Sequence, residues 1–120
     1  FAHAMLKGRT PTIYGDGTQV RDFVYVQDVV RANLLALERD PGGPVNISTG
    51  KGTSVNDLFS LLADLTGFRG QPAYAAPRAG EVHSIWLESK RAKERLGWEA
   101  TTGLREGLAR TVRAFKAESA

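Results

Sequence analysis

Cysteine is absent from the 120-residue sequence, which excludes disulfide bonds and thiolate metal ligands. No apolar run approaches the roughly 20 residues that a membrane-spanning helix needs, and no charged-then-apolar signal segment stands at the start. The two histidines, His3 and His83, are far apart and have no carboxylate at metal-binding spacing, so no zinc site is expected. These absences predict a cytoplasmic protein with no membrane segment and no metal.

Positive charge is only slightly in excess, since 16 Lys and Arg residues face 13 Asp and Glu residues and the net charge is +3. The arginines are scattered, whereas a nucleic-acid-binding surface needs clustered basic residues with aromatic side chains between them. A solvated basic surface is therefore favoured, and no nucleic-acid partner is expected. A hydrophobic content of 42% and a length of 120 residues are typical of one globular domain that buries a core.

The chain starts at Phe1, and its first residues resemble the last turns of a helix that ends at Lys7 and Gly8. A self-contained module would be expected to begin with its own start signal. We therefore interpret residues 1–120 as a single fragment of a longer protein.

The spacing of apolar residues predicts an α/β arrangement with too few strands for a complete doubly wound sheet. Asp28 and Ser54 are placed to cap two helices, and the first of these helices carries Val30, Leu34 and Leu37 on one face. The predicted strands are 10–14, 20–26 and 45–48, with an extended segment at 72–77. The predicted helices are 29–39, 55–66, 89–96 and a last one that is started by Thr102 and Gly103.

The stretch 13–28, IYGDGTQVRDFVYVQD, places Arg21 directly after a Gly-Asp-Gly turn. A guanidinium presents a planar fork of donors that matches phosphate oxygens, and glycines in the turn let a ligand approach the backbone closely. The alternative to a phosphate-binding role for Arg21, which the sequence spacing does not exclude, is a weak surface ion pair with Asp22.

Arg78 lies in a second candidate loop, which reads RAGE and ends at Glu81. A carboxylate can accept hydrogen bonds from both hydroxyls of a ribose, as it does in dinucleotide sites. Two loop arginines and one carboxylate would suit a nucleotide diphosphate, although a flexible loop arginine is more often only solvated. Tyr14 could stack on a base, but an aromatic side chain beside a strand usually belongs to the core.

Three stretches together resemble the extended short-chain dehydrogenase/reductases, specifically the NAD-dependent epimerase/dehydratase family that acts on nucleotide sugars. They are IYGDGTQVRDFVYVQDVVRA, VNISTGKGTSVNDL and RAGEVHSIWLESKRAKERLGWEATTGLREGL, and they follow one another in the order expected for the family. The resemblance covers essentially the whole chain, with UDP-glucose 4-epimerases as the nearest group.

The resemblance implies that Arg21 and Arg78 bind the diphosphate of a UDP- or dTDP-sugar and that Glu81 lies near the ribose hydroxyls. Tyr14 and Gln19 would lie along the nucleotide pocket. The family usually has Asp where this chain has Glu81, so the extra methylene changes the reach of the carboxylate.

The same resemblance implies that the chain is the C-terminal, substrate-binding portion of an extended Rossmann-type fold. Residues 21–50 would pack on an NAD-binding domain outside this chain, and the parent enzyme would be a homodimer that moves a hydride between a sugar carbon and NAD. The chain has neither the G-x-G-x-x-G loop that holds the dinucleotide nor the Tyr-x-x-x-Lys pair that supplies the general base in this family.

The chain by itself is therefore expected to be inactive and to hold no cofactor. Two alternatives stay open at this point. One is a dehydratase or reductase of the same family acting on another sugar, and the other is a non-catalytic nucleotide- or partner-binding module.

Overall fold

The computed structural model describes the backbone of residues 1–119 and the side chains of residues 1–118. This part of the chain forms five α-helices and four short β-strands. The helices are α1 (Ala2–Leu6), α2 (Val26–Glu38), α3 (Val55–Thr66), α4 (Lys90–Leu96) and α5 (Leu104–Ser119). The strands are β1 (Thr12–Tyr14), β2 (Val20–Arg21), β3 (Thr53–Ser54) and β4 (Ala73–Ala75). The α/β composition agrees with the sequence-based prediction.

The strands form two small pairs and no extended sheet within the described residues. β1 pairs with β4 in parallel, with Ile13 opposite Tyr74. β2 pairs with β3 in an antiparallel direction, and Val20 also forms a parallel bridge with Ser84. These pairings bring three distant parts of the chain together: the turn after β1, the chain after β4 and the start of α3.

The larger of two hydrophobic clusters lies where α1, α3 and α5 pack against β1. Its buried side chains are Ala2, Met5, Ile13, Phe59, Leu62 and Val112. The ring of Phe59 makes edge-to-face contacts with Phe1 and Phe68, with centroids 6.0 and 6.1 Å apart. Such contacts add to the hydrophobic stabilisation from burial, so β1 is held on a rigid support.

The second cluster surrounds Trp98, which is completely buried between α2 and α4 together with Ala32, Ala92 and Leu96. The indole Nε1 of Trp98 donates a 2.8 Å hydrogen bond to the backbone oxygen of Asp28. This bond satisfies the only polar atom of the indole in a buried environment, and it fixes the start of α2 against the chain that precedes α5.

The prediction that Asp28 caps a helix was wrong. The helix begins earlier, at Val26, and its N-cap residue is Tyr25, which makes no side-chain capping bond. The carboxylate of Asp28 instead accepts hydrogen bonds from Arg31 and from the amides of Thr101 and Thr102, at 2.8, 3.2 and 3.1 Å. The carboxylate of Asp28 therefore binds residues that are distant in sequence and does not cap α2.

Two predicted strands also differ from the structure. Of the stretch 20–26, only Val20–Arg21 pairs, because β3 offers a partner of just two residues and the Asp22 carboxylate turns to the backbone amides of Thr49 and Gly50. The stretch 45–48 makes no strand pairing, and the buried hydroxyl of Ser48 donates to the backbone oxygen of Leu87 over 2.8 Å.

The predicted cap at Ser54 and the predicted stops at Gly67 and Gly97 are confirmed. The hydroxyl of Ser54 accepts the amide of Asp57 at 3.1 Å and caps α3. Gly67 and Gly97 end α3 and α4 with left-handed backbone angles, φ +77° and +67°, which glycine adopts without a steric cost.

The predicted apolar face of α2 exists, but nothing in the described residues covers it. Val30, Leu34 and Leu37 are 49%, 56% and 85% exposed, and Val26 extends the same stripe by one turn. Large apolar side chains aligned on one helix face typically mark a contact surface. No helix within residues 1–119 is both long and apolar enough to cross a membrane.

Replacing Asp28 with Asn should lower the free energy of unfolding by about 2–4 kcal/mol, because a neutral amide cannot satisfy both backbone amides and Arg31 in a buried position. Chemical denaturation of the two proteins measures this difference. The matched control is Asp64→Asn, which breaks the exposed ion pair with Arg105 and should cost less than about 1 kcal/mol. Equal effects of the two substitutions would contradict the structural role of Asp28.

The same carboxylate should make the fold sensitive to acid. Burial pushes the pKa of Asp28 upward, but hydrogen bonds from Arg31, Thr102 and Thr101 outweigh it and leave the pKa below its usual value. A carboxyl group with a lowered folded pKa stabilises the fold above its unfolded pKa, about 3.9, and this contribution is lost as the pH falls through the folded pKa.

We therefore expect the free energy of unfolding to decrease as the pH falls below about 4. The Asp28→Asn variant should show a smaller decrease, measured by urea denaturation at a series of pH values. Identical pH dependence in the two proteins would show that Asp28 has no part in it.

Candidate functional site

A cavity of about 660 Å³ opens where β1 and β4 end. Because the two strands are parallel, the chain leaves both of them on the same side, and both departing segments contribute to the cavity lining. The lining residues are Tyr14, Gly15, Asp16, Gln19, Tyr74, Ala75, Pro77, Arg78, Glu81, Val82 and His83. Four of the five predicted site residues are therefore in one cavity lining.

The wall contributed by the turn after β1 has a tightly defined shape. Gly17 has φ +79°, and a Cβ atom there would lie 2.0 Å from the side-chain oxygen of Asn56, so only glycine fits. Asn56 in turn donates to the backbone oxygen of Asp16 at 3.0 Å. At the end of the turn, Gln19 donates its side-chain amide to the backbone oxygen of Tyr14 at 2.8 Å, which places both residues on the cavity wall.

Arg78 and Tyr14 are in direct contact within the cavity lining. The guanidinium carbon of Arg78 lies 4.4 Å from the centroid of the Tyr14 ring, a cation–π contact. The phenol is thus exposed to the cavity and is not part of the core, contrary to the usual behaviour of aromatic side chains beside strands.

Arg21 lies at the edge of the cavity and does not line it. Its Nη1 atom donates to the backbone oxygens of Val20 and His83 at 2.7 and 3.3 Å, and its Nη2 atom pairs with the Glu81 carboxylate at 3.2 Å. Glu81 and His83 are lining residues, so these contacts join Arg21 to the cavity.

The alternative ion pair between Arg21 and Asp22 does not form. Asp22 accepts hydrogen bonds from the amide and the hydroxyl of Thr49, at 2.9 and 2.6 Å, and from the amide of Gly50 at 2.9 Å. Burial raises the pKa of Asp22, but the bonds from Thr49, Gly50 and Leu87 together hold it below the usual value. Asp22 therefore remains charged and fixes the loop beside Arg21.

His83 and Tyr74 also line the cavity, and the sequence did not single them out as site residues. His83 lies 3.0 Å from the hydroxyl of Thr18, which donates to Asp16 and lowers the pKa of that carboxyl group. Tyr74 donates its phenol to the side-chain oxygen of Asn56 at 3.0 Å. The sequence offered a local signal only for His83, which follows the predicted site residue Glu81 by two positions. The position of Tyr74 in the cavity depends on the long-range pairing of β1 with β4.

The site combines Arg78, the carboxylates of Asp16 and Glu81 and two tyrosine rings around an open cavity, with Arg21 at its edge. This set can bind an anion, accept hydrogen bonds from hydroxyl groups and contact a flat ring. Among the residues that the structure describes, no group of three or more His, Asp or Glu side chains is placed to hold a metal ion.

Known protein families and solved structures match this chain along nearly its whole length. The family model for GDP-mannose 4,6 dehydratase matches residues 1–111. A putative UDP-glucose 4-epimerase of Methanocaldococcus jannaschii is 51% identical over 116 residues, which is 97% of this chain and 37% of that protein. The match therefore spans well under half of the relative.

Solved structures give the same result. A UDP-glucose 4-epimerase of Thermotoga maritima, crystallised with UDP-glucose, is 48% identical and superposes with a TM-score of 0.94 over 99% of this chain and 38% of that one. MoeE5 in complex with UDP-glucuronic acid and NAD is 44% identical, with a TM-score of 0.89 over 99% of this chain and 40% of that one. The chain thus belongs to the NAD-dependent epimerase/dehydratase family that the GDP-mannose 4,6 dehydratase model describes, and it corresponds to the C-terminal portion of such a protein.

Proposed function

We propose that this chain is the nucleotide-sugar-binding portion of an NAD-dependent epimerase or dehydratase, most similar in kind to UDP-glucose 4-epimerase. The observation that carries the proposal is the shared cavity, in which Arg78, Glu81, Tyr14 and Gln19 line one space and Arg21 is attached at its edge through Glu81. The UDP-sugars present in the solved relatives support the same class of ligand.

The two arginines are assigned to the diphosphate. Each guanidinium can donate paired hydrogen bonds to phosphate oxygens, and such charge-assisted bonds are about twice as strong as neutral ones. Arg78 is exposed and held over the Tyr14 ring, so it can bind a phosphate without breaking a buried contact. Arg21 has fixed its Nη1 atom on two backbone oxygens, which restricts the orientation of the rest of the guanidinium.

The nucleoside is assigned to the remaining lining. The carboxylate of Glu81 can accept both hydroxyls of a ribose, and the exposed ring of Tyr14 offers a surface for the base. Gln19 keeps the turn closed beside Tyr14 through its bond to the backbone. A UDP-sugar satisfies each of these groups at once, whereas the deoxyribose of a dTDP-sugar offers Glu81 only one hydroxyl.

NAD is assigned to a part of the parent enzyme outside this chain. The residues present do not fit the cofactor, because no G-x-G-x-x-G loop that could approach a pyrophosphate occurs in the sequence. We therefore assign no residue of this chain to the redox chemistry, and we expect the chain alone to be inactive. The cytoplasmic location and the homodimeric state of the parent remain predictions.

Residues 21–50 are assigned to the contact with that cofactor domain. The stripe Val26, Val30, Leu34 and Leu37 leaves apolar surface in water, which a partner surface would bury favourably. The chain spans only 37–40% of the length of the three relatives described above, so most of the parent is available to cover this face.

Replacing Arg21 with Ala should weaken the binding of UDP-glucose to the 120-residue chain by about 1.5–3 kcal/mol, the range for hydrogen bonds to charged groups. Calorimetric titration of both proteins measures the change, and adding NAD should leave it unaltered. Arg113→Ala, which removes the same charge from an exposed position on α5, should bind as tightly as the unchanged chain. Binding that does not depend on Arg21, or no binding at all, would refute a nucleotide-sugar site built by this chain.

A polar substitution in the α2 stripe should affect the stability of the 120-residue chain much less than that of the intact parent enzyme. Leu34→Asn should change the unfolding free energy of the 120-residue chain by less than about 0.5 kcal/mol and reduce its binding of a hydrophobic dye. In the intact parent enzyme the same change should cost about 2–4 kcal/mol, because Leu34 would be buried there. Glu38→Gln on the same helix should be neutral in both, and a neutral Leu34→Asn in the parent would exclude this face as the domain contact.

A further inference from the structure

We propose that Tyr14 is a positioning residue for Arg78, because its ring holds the guanidinium in the place from which it binds a diphosphate. The inference rests on the proposed function and deepens it, since it gives the ring a part in phosphate binding in addition to its contact with the base. It starts from the cation–π contact in which the guanidinium carbon of Arg78 lies 4.4 Å from the centroid of the Tyr14 ring.

The two arginines assigned to the diphosphate are held in different ways. Arg21 donates to two backbone oxygens and pairs with the Glu81 carboxylate. Glu81 follows Arg78 by only three positions, yet its ion pair is with Arg21. Within residues 1–118 the side chain of Arg78 has no ion pair and no hydrogen bond, and its guanidinium contacts the Tyr14 ring. The position of this guanidinium therefore depends on the ring.

The backbone holds both partners of the contact close together. Tyr14 ends β1 and directly follows Ile13, which is 1% exposed and fixes the strand in the core. On the other side, Pro77 restricts the backbone directly before Arg78. A Cβ atom on Gly15 would lie 3.6 Å from the Cβ atom of Pro77, so the two segments are in contact range beside the ring. The contact thus joins a fixed ring to a long side chain on a restricted backbone.

A cation–π contact orients an arginine without using its hydrogen-bond donors. The contact is made through the charge of the guanidinium, and the five N–H donors in the plane of the group stay available for phosphate oxygens. An exposed arginine that nothing holds samples many rotamers, and the apparent affinity falls with the fraction of time spent in the competent one. At an exposed site the ring should favour the held orientation about two- to five-fold.

The test is an NMR titration of the 120-residue chain with inorganic pyrophosphate, which has no base that could contact the ring. Tyr14→Leu removes the ring and should weaken pyrophosphate binding about two- to five-fold. It should also abolish the ring-current shift of the Arg78 Cδ protons. Tyr14→Phe keeps the ring and should recover both the affinity and the shift. Because Tyr14 is 42% exposed, the fold should tolerate both changes.

The unchanged chain supplies a measurement that needs no substitution. The ring-current shift of the Arg78 Cδ protons should persist when the chain is saturated with pyrophosphate, since the guanidinium binds the ligand from its place over the ring. A shift that disappears on saturation would mean that Arg78 leaves Tyr14 to bind phosphate and would overturn the proposal. Absence of pyrophosphate binding at millimolar concentrations would overturn it as well.

Tyr25→Leu is the matched control. It removes a tyrosine ring whose centroid lies 5.6 Å from the guanidinium carbon of Arg110, outside the cavity lining. Its pyrophosphate affinity should equal that of the unchanged chain. The loss caused by Tyr14→Leu should disappear when Arg78 is already Ala, because the ring then has no guanidinium to orient. A loss that persists without Arg78 would mean a general disturbance of the cavity and would contradict the positioning role.

Titration of the same variants with UDP separates the two levels of inference. If UDP binding depends on Arg21 but Tyr14→Leu leaves the pyrophosphate affinity unchanged, the positioning proposal fails and the proposed function stands. If UDP binding is absent or does not depend on Arg21, the proposed function fails and the positioning proposal fails with it.

Discussion

The parallel pairing of β1 with β4 is the constraint on which the candidate site depends. Each strand has only three residues, so the pair could not persist without support. That support comes from Ile13, which is buried in the cluster around Phe59 and anchors β1 to α3. With the strands fixed side by side, the turn that follows β1 and the loop that follows β4 must face each other.

Two acidic residues outside the cavity lining serve mainly to organise the backbone. Asp22 and Asp28 both direct their carboxylates to backbone amides of segments far away in sequence. The hydrogen bonds of Asp22 affect the neighbouring Arg21. Because the Asp22 carboxylate accepts hydrogen bonds from Thr49 and Gly50, it does not form an ion pair with Arg21. The guanidinium is left to interact with the cavity, where its carboxylate partner is Glu81. Charge at the site is thus arranged by hydrogen bonds made outside it.

Local signals in the sequence were sufficient for the helix ends, whereas long-range contacts decided the rest. Ser54, Gly67 and Gly97 act within one helical turn, and their roles could be read from their immediate neighbours. Asp28 carried the same kind of signal, but its bonds to Thr101 and Thr102 replaced the capping role. Residues 20–26 and 45–48 both have strand-like composition. Within the described residues, only two residues of the first stretch pair with another strand, and no residue of the second stretch does.

The site residues could be named from a resemblance, but their arrangement could not. That Arg78 covers Tyr14, and that Glu81 reaches Arg21, depends on a loop geometry that no spacing encodes. The strand pair that creates this geometry also closes a loop of about sixty residues, a step whose entropic cost is met only when the cores are in place. The cavity therefore exists only in the folded chain, and any ligand that occupies it adds its binding free energy to the folding equilibrium.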